Sequence, residues 1–205
     1  MPRFTEKTVI ITGAAGTMGV GMVRRFAAED ARAVIGARQR EQVADLLDEL
    51  GGDRAVFARL DVTTEQDWTA AVATAEAAFG PVSVLVNNAA RAIVGTTMSL
   101  PPPDDFREVI DTNLVGTFLG TRAAVPSMRR RGGGSIVNIN STAGIGATGE
   151  LIVGIDDQPT PRLAGVDEIG SLVPFVASDD AGYSTGAEFV ADGGSLLGPV
   201  PATKL

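Results

Sequence analysis

Cysteine and histidine are both absent from the 205 residues. Without cysteine there is no disulfide, no thiolate nucleophile and no Cys-based metal site. Without histidine there is no Ser-His-Asp triad and none of the usual zinc hydrolase sites. Acid–base chemistry is left to carboxylates, tyrosine and lysine, and the last two are scarce: one tyrosine, Tyr183, and two lysines, Lys7 and Lys204. The other 15 of the 17 basic residues are arginine, which together with 25 glycines and many alanines points to a GC-rich bacterial genome. No apolar run approaches the ~20 residues of a membrane span. The N-terminal Met-Pro-Arg-Phe-Thr-Glu-Lys has no apolar signal region, so a cytoplasmic location is expected. A net charge of −8 and a pI near 4.6 argue against nucleic acid as a partner.

What is present suits one domain over 1–205. The chain is 44% hydrophobic with mean hydropathy +0.17, enough for a sizeable core. Lys7 to Thr12 is a short β-branched run of the kind that forms a buried parallel strand. Met18 to Glu29 spaces Met18, Met22, Val23 and Phe26 as a helix. Strands at Ala31 to Gly36, Arg54 to Leu60, Val82 to Asn87 and Ser135 to Asn140 alternate with helices at Glu41 to Leu50 and Thr64 to Phe79, and with a long one from about Asp104 to Arg131. Thr63 or Thr64 caps the second of these helices and Gly80-Pro81 ends it. Pro126 is expected to bend or divide the long helix, and Gly132-Gly133-Gly134 to break it. Such alternation means a doubly wound, Rossmann-type parallel sheet flanked by helices. The rhythm fails after Asn140. Leu151 to Ile155 reads as a short apolar run, Val166 to Ser178 as a helix and Ala187 to Ala191 as a last strand. One βα unit is therefore missing between about residues 145 and 160.

The turn after the first strand reads Thr12-Gly13-Ala14-Ala15-Gly16-Thr17-Met18-Gly19. A glycine-rich turn between strand and helix lets backbone approach a pyrophosphate, whose charge then sits on the helix N-terminus. Gly13, Ala15, Gly16, Thr17, Met18 and Gly19 are accordingly the candidate cofactor-binding loop. The nucleotide is read from the second strand. An acidic residue about 20 positions on would favour NAD. Here Gly36 is followed by Ala37 and Arg38, with no carboxylate until Glu41, and a guanidinium pairs with a 2′-phosphate. The expected cofactor is NADP(H), with NAD as the alternative and a solvated loop charge as the plain reading of Arg38.

The order of the motifs resembles the short-chain dehydrogenase/reductase family, in its compact single-domain branch. Thr12, Gly13 and Gly19 match TGxxxGxG, with Thr17 where the middle glycine is usual and Gly16 one place early. The run also fits the TGxxGxxG of the larger, extended branch, which leaves an epimerase-like relative as a third reading. Leu60-Asp61-Val62-Thr63 matches the adenine-binding segment, and Asn87-Asn88-Ala89-Ala90 matches NNAG. Asp111-Thr112-Asn113-Leu114 matches the segment of the catalytic Asn, and Gly134 to Ser141 the strand that ends at the catalytic Ser. Tyr183-Ser-Thr-Gly186 and Val190-Ala-Asp-Gly-Gly194 match the last strand and its flanks. The likeness covers residues 5 to 145 and 160 to 195, and several details are similar to bacterial hydroxysteroid dehydrogenases. It implies hydride transfer between a secondary alcohol and a ketone, with Asn113 and Ser141 as catalytic residues. Asp61, Val62, Asn88 and Ala89 would join the cofactor site. It also implies a small-molecule substrate and a homodimer or homotetramer.

The family delivers the proton with Tyr-x-x-x-Lys, whose i, i+4 spacing sets the ammonium beside the phenol and lowers its pKa toward working pH. Tyr183 has Ala187 at +4, and the lysines lie at the chain ends. Ser141 and Arg162 are 21 residues apart, where one βαβ unit alone needs roughly 30. About 50 residues are inferred to be missing there once a loop is added. Three explanations stand. The favoured one is that the native protein carries a segment that this sequence leaves out. In the second, the chain is a cofactor-binding module without catalysis. In the third, Leu151 to Ile155 replaces the sixth strand.

Overall fold

The computed structural model describes residues 2–93, 101–142 and 158–197. Its centre is a parallel sheet of five strands in the order β3-β2-β1-β4-β5. The strands are β1 (Thr8–Thr12), β2 (Arg32–Ala37), β3 (Ala55–Arg59), β4 (Val82–Asn87) and β5 (Ser135–Asn138). The helices are α1 (Thr17–Ala28), α2 (Ala44–Leu50), α3 (Glu65–Phe79), α4 (Pro103–Ile110), α5 (Gly116–Arg131) and α6 (Val166–Ala177).

The sheet is buried on both faces, which is why its central strands read as unbroken apolar runs. Val9, Ile11, Ala33, Ile35, Val84 and Val86 face one core with Met22, Val23 and Phe26 of α1 and Val173 of α6. Ile10, Val34 and Leu85 face the other, with Trp68 and Ala71 of α3 and Leu119 and Ala124 of α5. Trp68 is 1% exposed, and its indole N–H donates to the Val62 carbonyl at 2.9 Å, so the polar end of this large ring is satisfied. α5 ends where Gly132 turns left-handed at φ +97°, and Arg129, Arg130 and Arg131 fill its last turn, where cations complement the helix dipole.

Chain order reverses at β1: β2 and β3 lie on one side of it, β4 and β5 on the other. In open parallel sheets this switch point, beyond the carboxyl ends of the strands, is where ligands bind.

Three expectations need correction. Pro126 lies inside α5, which continues to Arg131 undivided. The long helix is interrupted earlier, by a wide π-type turn at Asp111–Val115 between α4 and α5. Ala187 to Ala191 forms no strand. A strand exists only against a neighbour, and among the described residues the sheet ends at β5 and no strand pairs with this run. The run Leu151 to Ile155 lies outside the described residues.

Candidate functional site

The glycine loop leaves β1 at Thr12, which is 1% exposed. Gly13 follows at φ +61°, and a Cβ there would lie 2.8 Å from the Ala89 Cα. A Cβ on Gly19 would lie 2.4 Å from the Gly13 carbonyl oxygen, so the loop folds tightly onto the first turn of α1. At Gly16 the opposite holds: the nearest atom, the Gly13 oxygen, is 3.5 Å away. Gly16 and Thr17 are exposed, Ala15 and Met18 half-buried. No side chain caps α1, and no carboxylate stands in its first turn. An open backbone cradle at an uncapped helix N-terminus fits the pyrophosphate of a dinucleotide. A shallow cleft continues from it along Ala15, Thr17 and Val20 to Val166 and Asp167 at the start of α6.

The loop is fastened to β4. The Thr12 hydroxyl accepts the backbone N–H groups of Asn88 and Ala89, each at 2.9 Å. The Asn88 amide donates back to the Thr12 carbonyl at 2.9 Å and the Gly13 carbonyl at 3.3 Å. Asn88 thereby holds the loop in place with its side chain. Neighbouring Asn87 donates to the Asn138 side chain at 2.9 Å, joining β4 to β5.

Arg38 and Asp61 lie past the ends of β2 and β3, on the other half of the same edge. The Asp61 carboxylate accepts the Thr63 hydroxyl at 2.7 Å and the Thr63 N–H at 3.0 Å. These bonds, helped by the charges of Arg38 and Arg59, hold its carboxyl below the ordinary aspartate value. Val62 is buried beside it.

Asn113 sits in the π-type turn, a feature frequent at functional sites. Its side-chain oxygen accepts the Arg91 N–H at 2.8 Å, and its amide donates to the Arg91 carbonyl at 2.9 Å. The Arg91 guanidinium pairs with Glu108 of α4 at 2.7 Å. Ser141 lies exposed three residues beyond β5. Gly13, Asn88 and Ser141 thus follow the ends of β1, β4 and β5, three adjacent strands.

Tyr183 is fully exposed. Lys7 precedes β1, on the opposite edge of the sheet, and pairs with Asp179 at 2.7 Å. Among the described residues, then, no tyrosine and lysine meet at this edge. Sequence reasoning missed two members of the arrangement. Thr12 was seen only as a motif letter, although a hydroxyl at a strand end opposite a second strand end is the signal for its role. Arg91 carried no local signal at all.

A sequence model of the short chain dehydrogenase family matches residues 7–152. The chain is 34% identical to the 3-alpha-(or 20-beta)-hydroxysteroid dehydrogenase of Mycobacterium tuberculosis, over 96% of this chain and 92% of that one. It is 33% identical to the trans-4-hydroxycyclohexanecarboxylate dehydrogenase of Sinomonas cyclohexanicum, over 96% and 95%. It is 28% identical to the NADP-dependent (R)-specific alcohol dehydrogenase of Lentilactobacillus kefiri, over 94% and 97%. The first alignment runs 247 positions against a chain of 205, so at least 42 positions of that relative face a gap here. No helix among the described residues is long and apolar enough to cross a membrane.

Proposed function

The chain belongs to the short chain dehydrogenase family, and from that premise we propose that this oxidoreductase interconverts a ring-borne secondary alcohol and its ketone with NADP(H). The observation that carries the reading is the open loop at the β1/β4 switch point, with Asn113 and Ser141 on the same edge. The ring preference rests on two relatives whose names place the hydroxyl on a steroid or a cyclohexane. The 2′-phosphate preference rests on Arg38 beyond β2, and a relative named NADP-dependent agrees with it. A cytoplasmic homo-oligomer is the assembly proposed, by analogy.

When bound, the nicotinamide supplies or takes up the hydride. The glycine loop and the α1 N-terminus hold the pyrophosphate, Arg38 meets the 2′-phosphate, and Asp61 with Val62 borders the adenine. The Ser141 hydroxyl donates a hydrogen bond to the substrate oxygen and so favours negative charge on it. Asn113 is positioned through the Arg91 backbone. The proton for the alkoxide comes from a Tyr–Lys pair in the roughly 50 residues that the gap marks, a length that follows from one βαβ unit and a loop. The intact mass of the protein purified from its source tests that point. A mass several kDa above 21.1 kDa supports the enzyme with its full proton relay. A mass near 21.1 kDa favours the second reading, a dinucleotide-binding module without turnover, for which the missing Tyr-x-x-x-Lys speaks. In an active protein, Ser141→Ala lowers kcat about 100-fold or more while NADPH affinity stays within about twofold; unchanged turnover removes Ser141 from the mechanism.

A further inference from the structure

α4 runs directly into the π-type turn that carries Asn113, and none of its residues from Pro103 to Ile110 is buried. The apolar core therefore does little to fix how this helix lies. Single π-type turns inside helices are rare, so the contacts that hold this one matter. At its far end the hold is steric: a Cβ on Gly116 would lie 2.8 Å from a Val62 methyl carbon. At its near end the hold is ionic and comes from one residue. Arg91 grips the segment twice. Its backbone clasps the Asn113 side chain by two hydrogen bonds, of 2.8 and 2.9 Å. Its guanidinium lies 2.7 Å from the Glu108 carboxylate and 3.9 Å from that of Asp105. Those two acids are three residues apart and so share one face of α4. Arg107 on the same helix pairs with Asp104 at 2.7 Å and serves a different contact.

We infer that the Arg91 side chain is a positioning residue: paired with Glu108 and Asp105, it sets α4 against the loop after β4 and so keeps Asn113 on the Arg91 backbone. The Asn113 side chain spends its oxygen and its amide on that backbone, so its place in the site depends on how firmly residue 91 and the turn are held together. The Arg91 and Glu108 side chains are 47% and 57% exposed, and such a pair adds little to overall stability. Its effect is local, on a helix with no buried residue to hold it otherwise. The inference rests on the reading of Asn113 as part of the active site, but the clasp itself can be measured without turnover.

Amide exchange of the 205-residue chain reads the Arg91 N–H, which is freed when the clasp opens. Arg91→Gln and Glu108→Gln should each lower protection at residue 91 about two- to fivefold, the range that loss of an exposed pair gives. The β4 amides of Val84 to Val86 should not change, which shows that the fold is intact. The double variant should go no further than Arg91→Gln alone, because the two groups act as one pair. Arg91→Lys, which keeps a cation for Glu108, should retain more than half of the protection, and Arg107→Gln should leave residue 91 as it is. In an active protein, Arg91→Gln should lower kcat by a similar factor with the NADPH KM within about twofold, and Arg91→Lys should restore it. Unchanged protection in Arg91→Gln and Glu108→Gln overturns the inference whatever turnover does. So do additive losses in the double variant, or an equal loss in Arg107→Gln. Protection that follows the pair while kcat stays constant upholds the positioning and removes Asn113 from the catalytic group.

Discussion

Thr12→Val isolates the bond that ties the cofactor loop to the sheet. The substitution keeps shape and β-branching and removes one hydroxyl. Two backbone N–H groups, of Asn88 and Ala89, lose their acceptor. An orphaned buried donor costs about 1–3 kcal/mol; these two are half-buried, so about 1–1.5 kcal/mol each applies. The buried methyl group of valine returns about 0.5–1 kcal/mol. The net loss is about 2 kcal/mol, about thirtyfold in the folding equilibrium and a sizeable part of a total of roughly 5–15 kcal/mol. Urea titration followed by tryptophan fluorescence measures it, because Trp68 is buried in the core and is the one tryptophan. The midpoint should fall with the slope unchanged. Thr12→Ser, which keeps the acceptor, should retain most of the stability. NADPH affinity should fall in Thr12→Val as well, since the Ala89 backbone lies against Gly13. A loss under about 0.5 kcal/mol, or equal losses in both variants, refutes the role of the hydroxyl.

Two further outcomes follow from the charges. Arg38→Ala should weaken NADPH binding about tenfold or more and leave NADH nearly unchanged, measured by fluorescence titration; an equal effect on both removes Arg38 from the 2′-phosphate site. The carboxyls of Glu29, Asp61 and Glu76 are held low first by bonds from Arg3, Thr63 and Ser127 respectively, and that of Glu168 is held down to about 2 by Arg162. Their folded values lie below the unfolded ones, so the stability they contribute is complete above the ordinary carboxylate range near 4 and is lost as pH falls toward 2. Urea midpoints should therefore drop between pH 5 and pH 3, and less steeply in Glu29→Gln; a flat profile contradicts the assignment.

Much of this was legible because the relevant signals are local. β1, β2 and β4 are apolar runs buried on both faces, and the glycine loop sits where strand becomes helix. What escaped depends on partners distant in sequence. The role of Thr12 follows from the alignment of β1 with β4, 74 to 77 residues apart. The π-type turn around Asn113 is invisible in a pattern that stays helical from α4 into α5. Ala187 to Ala191 has the composition of a strand but, among the described residues, no neighbour to make it one, so residue types alone mislead there. Pro126, expected to bend or divide the long helix, does not divide it, and the interruption falls instead where Asn113 is clasped by Arg91.

The central claim is that this sheet edge holds a phosphorylated dinucleotide. Calorimetric titration with NADPH and NADH tests it most directly and needs no turnover. The account predicts one saturable NADPH site per chain, at least about tenfold tighter than NADH and weakened by Thr12→Val. Absence of binding up to about 1 mM, or equal binding of the two that Thr12→Val leaves untouched, contradicts it.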